Sequence, residues 1–261
     1  MMSKEQLLGT LVDRAATMRF TKPVRFRARP GDGWGQATYE KSEAEFAEDA
    51  RRNAHWLQGT LEAKFAEDLA PYPEHCRDEP QEIPESVPYR NVFERANLTV
   101  DIAGPYWSGA VADLSQLTEP DRRWVFDRLA PTATAVGREI GYFAKEEKWT
   151  WIWGQPQLLA EPPKEGRGAP PKLVRPDIVV GGPKNSFGVI DLSVSSAGHR
   201  SKLDAHGHPR KSVRSDMARW IKLLQRAGYR YDSELGAQLL LVEPTEEANV
   251  AIACRWERVE I

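Results

Sequence analysis

Cysteine is scarce: Cys76 and Cys254 are the only two in 261 residues. Two thiols make neither a disulfide framework nor a zinc pattern, so a reducing, cytoplasmic setting is the expectation. Long apolar runs are missing too. None approaches the ~18–20 residues a membrane span needs, and the opening Met-Met-Ser-Lys-Glu-Gln has no signal-peptide n-region or h-region. Excess charge of one sign is also lacking. A formal net charge of −2 excludes a uniformly basic coat for nucleic acid and leaves the distribution of charge to be read. The glycine-rich Gly31-Asp-Gly-Trp-Gly35 lacks the Lys-Ser/Thr ending and strand-to-helix setting of a phosphate-binding loop, so it reads as a turn. What remains is 41% apolar and 28% charged, the balance of a globular chain with one large domain or a core plus an elaborated N-terminal half.

The apolar spacing of Leu7, Leu8, Leu11, Val12 and Ala15 predicts a helix over 3–17, with Ser3 as its N-cap. A basic stretch with interleaved Phe20 and Phe26 follows: Arg19, Lys22, Arg25, Arg27 and Arg29. It is either an arm that tracks phosphates or an edge strand with a solvated face. Residues 42–58 and 60–69 read as two helices, and Ser42 with Glu45 forms a capping-box pattern. The heptapeptide at 43–49 nearly recurs at 62–68, but two copies do not make a solenoid. The acid-rich 40–86 region is a solvated face or a partner surface, and its proline-rich part, 70–90, reads as an extended connector. Leu98–Gly104 predicts a short strand. Thr118-Glu-Pro-Asp121 starts a helix that Pro131 is expected to break near Leu129, with a second helix over 132–147. Trp149, Trp151 and Trp153 alternate along a strand, as a core wall or a base-stacking platform. The 161–172 stretch reads as a loop.

The richest stretch is 173–195. Two β-branched apolar runs flank Gly-Gly-Pro-Lys-Asn-Ser, a strand–loop–strand signal. Ile190, Leu192 and Val194 point one way along the second strand, and Asp191, Ser193 and Ser195 the other. Each run carries one carboxylate, Asp177 and Asp191. A carboxylate on a half-buried strand is costly unless it is paired or holds a cation. Two on adjacent strands suit a divalent ion, and Mg²⁺ takes one or two carboxylates plus water and phosphate oxygens. After a polar, basic loop, Val213, Met217, Trp220, Ile221 and Leu224 predict a helix over 211–227 that Gly228 ends. Strands at 238–244 and 250–257 follow.

Pro176-Asp177, a short gap, and Asp191 within an apolar strand resemble the PD-(D/E)xK nuclease superfamily, which includes many restriction endonucleases. The resemblance covers about residues 130–257. It implies an α/β (α+β) fold with a mixed central sheet flanked by helices. The restriction-endonuclease-like core would be 130–261, and 1–129 a mainly helical elaboration for DNA contacts or dimerisation. It also implies a Mg²⁺-dependent DNA endonuclease, with Mn²⁺ as a substitute ion and a homodimer able to cut both strands. Asp177 and Asp191 would be the metal ligands, and Glu139 resembles the further acid that many members supply from the preceding helix. The motif's lysine should stand two residues after the second acid, where this chain has Ser193. Lys202 and Lys211 are the candidates for a displaced lysine, and Lys211 is preferred on reach. Residues 192–229 resemble a bacterial branch of the superfamily in which an acid-bearing strand ending in serines precedes a lysine-bearing helix.

Residues 199–226 are rich in Arg and Lys, with Asp204 and Asp216 as the only acids. Beside a phosphodiesterase site, Arg200, Arg210, Lys211 and Arg214 become candidates for phosphate contacts, together with Arg25 and Arg27. His206-x-His208 lacks the cysteine that would complete a tetrahedral zinc set. Two other function classes stay open. One is a catalytically inactive nuclease fold that binds nucleic acid or assists assembly, favoured by Ser193. The other is a protein-interaction module built on the acidic helices.

Overall fold

The computed structural model describes residues 3–18, 24–25, 42–65, 117–147, 149–156, 158–161, 172–182, 186–196, 198–245 and 252–261. Helix α1 (Lys4–Thr17) starts as its sequence requires. Ser3 accepts from Gln6 N, Gln6 Oε1 accepts from Ser3 N, and Leu7, Leu8, Leu11, Val12 and Ala15 are buried.

Helix α2 is one element, Glu43–Phe65, where two helices were expected. Ser42 and Glu45 exchange the capping-box hydrogen bonds. Gly59 costs about 1 kcal/mol relative to alanine within a helix, but Leu57 and Leu61 on either side of it are fully buried. Helix α3 runs unbroken over Glu119–Glu146, capped by Thr118 and carrying Pro131 inside it. The expected break fails for the same reason. An interior proline costs about 3 kcal/mol, while Val125, Leu129, Ala133, Val136 and Ile140 are all buried, and each large apolar side chain contributes roughly 1.5–3 kcal/mol. Packing outweighs propensity at both places. The expected domain boundary at 129/130 therefore falls inside α3.

The sheet begins with β1 (Val24–Arg25) and β2 (Trp151–Gly154). It continues through β5 (Ile178–Gly181), β6 (Ser186–Val194), β8 (Ala237–Glu243) and β9 (Ala253–Val259), side by side in that order. A small separate ribbon pairs β3 (Leu158–Glu161) with β4 (Lys172–Val174), and β7 (Arg230–Tyr231) adds to β6. The β5–β6 pair is antiparallel, with Ile178 opposite Ile190. The β6–β8 pair is parallel, with Asp191 opposite Leu239. A parallel pair needs a crossover, and helix α4 (Lys211–Arg226) lies within it.

Strand alternation gives the sheet two apolar faces. Ile152, Ile178, Val180, Ile190, Leu192, Leu240 and Val242 form one core with α1, α2 and α3. Trp151, Trp153, Val179, Val189, Leu239 and Leu241 form another with α4. The fold is mixed α and β, as expected: a mixed sheet with helices on both faces. The three tryptophans are core and fully buried, but they divide. Trp149 precedes β2 and joins the first core, while Trp151 and Trp153 join the second. No helix among the described residues is long and apolar enough to cross a membrane. Arg27, the expected turn at 31–35, the connector at 70–90 and the strand at 98–104 lie outside the described residues, as does nearly all of the expected basic arm and of the loop at 161–172.

Candidate active site

The candidate site lies at the end of the sheet where β2 stops and β5 begins. Pro176 disfavours a helical conformation at Arg175, and Asp177 follows as a bend just before β5. It sits beside the strand end rather than within the strand. Past the last β5–β6 pair, Leu192 N–H of β6 meets no β5 partner in the ladder, and Asp177 Oδ2 accepts it at 2.7 Å. Asp191 lies one residue earlier on β6. It is 4% exposed, and its carboxyl lies close enough to Asp177 to raise that group by its charge and by hydrogen bonding. The two carboxylates read from the sequence thus stand against each other.

Asp191 Oδ2 also takes a hydrogen bond from Lys202 Nζ at 2.5 Å. Lys202 is the cation at the pair. Lys211, preferred on reach, begins α4 exposed to solvent and makes no ion pair with either carboxylate. The loop between β6 and α4 returns to the sheet and carries Lys202 back, whereas Lys211 lies on the exposed side of the first turn of α4. Ser193, where the motif's lysine would stand, instead bonds His199 Nδ1 at 2.9 Å.

Two residues of this site were missed in the sequence. Asp13 belongs to α1, whose last turn closes on Gly154: a Cβ on that glycine would lie 2.5 Å from Thr17 Cβ. That close approach brings Asp13 within electrostatic reach of Asp177 and Asp191. Gln155 donates from its amide to Asp13 Oδ2, and its backbone N–H donates to Asp177 O at 2.7 Å. Gln155 has φ +47 and His199 φ +57, the only left-handed non-glycine residues among those described. Both flank this site, and such strain persists only where surrounding structure enforces it. The signal available in the sequence was an acid adjoining the apolar stripe of α1.

The electrostatics are those of crowded, desolvated acids. Burial raises the Asp13 carboxyl, the Gln155 hydrogen bond opposes it, the Asp191 charge adds to the rise and the Arg14 and Arg175 charges work against it, leaving it pushed up to about 7. Asp177 lies well above the usual carboxylate range. Burial is the main cause, followed by the Asp13 and Asp191 charges and the shared hydrogen bond, while Leu192 N–H works against them. Burial alone would lower the Lys202 ammonium, but the Asp191 charge and hydrogen bond, with Asp177 and Asp216, raise it instead.

Other expected residues lie elsewhere. Glu139 Oε2 accepts from Trp256 Nε1 at 3.1 Å, because that face of α3 lies against β9, so Glu139 does not join the pair. Arg200, Arg210 and Arg214 are exposed near the loop and α4. Arg210 is partly committed: its Nε donates to Leu203 O and its N to Lys202 O, both at 2.8 Å. Arg25 pairs through its backbone with Trp151. His206 and His208 give their backbone N–H groups to Asp204 Oδ1, forming a turn.

Comparison with family models, curated proteins and solved structures found no match to this chain.

Among the described residues, no three His, Cys, Asp or Glu side chains are arranged to hold a metal. The donor set nevertheless fits Mg²⁺, which needs only one or two carboxylates and completes its shell with water and phosphate. Asp177 and Asp191 supply those two. Asp13 Oδ1 is buried without a hydrogen-bond partner. Lys202 is paired with Asp191, and the Arg14 and Arg175 charges act on Asp13, yet the buried acids keep an orphaned oxygen, an environment that a divalent cation would stabilise.

Proposed function

We propose that this protein is a Mg²⁺-dependent DNA endonuclease, restriction-like in its chemistry, with Mn²⁺ as a substitute ion. The observation that carries the reading is the convergence of Asp177, Asp191 and Lys202 at one end of the sheet. The chain order supports it. A helix, the antiparallel β2, β5 and β6, then α4 and the parallel β8 follow the helix–three-strand–helix–strand order of the PD-(D/E)xK core.

Asp177 and Asp191 would hold the ion, which when bound polarises the phosphate and acidifies water. Asp13, fixed by Gln155, adds negative field at the same place. Lys202 stays protonated at neutral pH, so it acts as a positioned positive charge. It offsets charge developing on the scissile phosphate and orients the attacking water, and it does not serve as a base. Exposed Arg200, Lys211 and Arg214 would contact backbone phosphates, and a homodimer would let two such sites cut both strands. Ser193 favours the alternative of an inactive nuclease fold, while Lys202 beside Asp191 supports the active reading.

The test is cleavage of supercoiled plasmid with Mg²⁺, Mn²⁺ or EDTA. Cleavage should need the metal and vanish in Asp191→Asn. Wild type inert under every metal condition, or Asp191→Asn fully active, would end the nuclease reading.

A further inference from the structure

The Lys202 loop has to solve a geometric problem. Chain leaving β6 at Val194 travels away from Asp191, yet Lys202, eight positions later, reaches back to it. The reversal is made by Gly198 (φ +76) and His199 (φ +57), consecutive left-handed residues. Glycine adopts that conformation freely, whereas histidine does so at a cost. His199 is nevertheless 2% exposed, with its ring driven into the protein from a surface loop. Its Nδ1 bonds Ser193 Oγ at 2.9 Å, on the same strand and strand face as Asp191. Its carbonyl accepts from Lys202 N at 2.8 Å and from Leu203 N at 2.9 Å. One residue is therefore tied to the strand by its side chain and to the lysine-bearing turn by its backbone.

We propose that His199 is the positioning residue of the site: anchored to Ser193, it sets the turn that delivers Lys202 to Asp191. The strand position that carries lysine in the PD-(D/E)xK motif holds the anchor here, and the cation arrives on the loop the anchor fixes. The rest of the loop cooperates. Arg210 N donates to Lys202 O, and Asp204 N to His208 O at 2.9 Å. His199 Nε2 has no hydrogen-bond partner, with Glu243 Oε1 3.9 Å away. The Nδ1 contact with Ser193 is therefore its one polar tether through the ring. Assigning this part to His199 rests on the nuclease reading only for its effect on cleavage; the placement of Lys202 is a property of the fold.

The experiment has two readouts. The first needs no activity. The full chain is treated with an amine-acylating reagent, and Lys202 modification is followed by mass spectrometry with exposed Lys211 as internal standard. His199→Ala should raise Lys202 modification several-fold. His199→Asn should keep it near wild type, since asparagine retains a polar atom near the Nδ1 position and tolerates left-handed backbone. Ser193→Ala should behave as His199→Ala does, and it gives a second route if His199→Ala folds poorly. The second readout is single-turnover plasmid cleavage. Lys202→Ala should lower the rate by at least about 10²-fold, His199→Ala should approach that loss, and the double variant should be no slower than Lys202→Ala alone. An additive double variant, as a merely structural role would give, or unchanged Lys202 modification in folded His199→Ala and Ser193→Ala, overturns the proposal. Acylation that responds as expected in a protein that never cleaves keeps the positioning role and rejects the nuclease reading instead.

Discussion

Asp13→Asn should make the protein more stable above neutral pH, and the gain should disappear in acid. Asp13 is pushed from 3.8 to about 7 in the folded protein. Between those values the folded state holds a proton that the unfolded state has released. Stability therefore falls as pH rises through this window, and it is lowest above pH 7, where Asp13 is ionised inside the fold. A shift of about three units corresponds to at most about 4 kcal/mol. Asparagine is nearly isosteric and carries no charge. Its carbonyl can keep the Gln155 hydrogen bond, and its amide can face the site of the orphaned Oδ1, toward the two other acids. Urea unfolding of both proteins in EDTA, from pH 4 to pH 9, reads the difference directly. The curves should coincide near pH 4 and diverge by up to about 4 kcal/mol by pH 8. Millimolar Mg²⁺ should narrow the gap by stabilising wild type more than the variant, because only the ligand-bound folded state gains. Equal stability at pH 8 in EDTA would refute the view that Gln155, Arg14 and Arg175 leave ionised Asp13 under-compensated.

Lys202→Ala should cost at least about 10²-fold in single-turnover cleavage, with Lys211→Ala changing DNA affinity but not that rate; the opposite ranking would return the catalytic role to α4. Because Asp177 holds its proton well above the usual range, Mg²⁺ binding should release protons and tighten as pH rises. Calorimetry in buffers of different ionisation enthalpy measures that release, and a null result would show that Asp177 is not a ligand. Replacing Arg200, Lys211 and Arg214 together should flatten the salt dependence of DNA binding by about 0.9 in log–log slope per lost phosphate contact; Arg210 is left intact because it braces the Lys202 loop. Pro131→Ala should raise thermal stability, by at most the roughly 3 kcal/mol that proline costs in a helix interior; a lower melting temperature would mean that the proline ring itself packs usefully.

The elements legible in the sequence are those in which local signals and tertiary packing agree. α1 shows its cap and stripe, β6 its strict alternation, and α4 its periodicity closed by Gly228. Where the two conflict, local reading fails. Gly59 and Pro131 are breakers by propensity, yet both lie within continuous helices because the flanking turns are buried. Asp177 and Asp191 could be paired from sequence because carboxylates inside apolar runs need an explanation. Asp13 could not, since its role depends on how closely α1 approaches Gly154, a contact between residues far apart in the chain. Reach along the chain favours Lys211 over Lys202, because it says nothing about a loop that doubles back. The information lay in Gly198 and His199, whose left-handed geometry becomes visible only in three dimensions.

Costly features gather at this one end of the sheet. Three acids lie within electrostatic reach of one another, two of them raised in pKa, and one acid oxygen lacks a partner. The two left-handed non-glycine residues of the described chain, Gln155 and His199, flank the same place. Lys202 on Asp191 and the Arg14 and Arg175 charges near Asp13 offset part of this, yet burial still holds two of the acids above their usual range, where apolar side chains would pack at lower cost. Lys202 satisfies one oxygen of Asp191, and burial with its acidic neighbours holds the Asp177 carboxyl above the usual range. A divalent cation at the pair would relieve the same repulsion. If the cluster exists to bind one, its instability in the metal-free protein and its function have the same origin, and Mg²⁺ should raise stability most at the pH where the bare cluster is weakest. A Mg²⁺ effect that is flat with pH would separate the two and make the cluster an ordinary, if strained, piece of the fold.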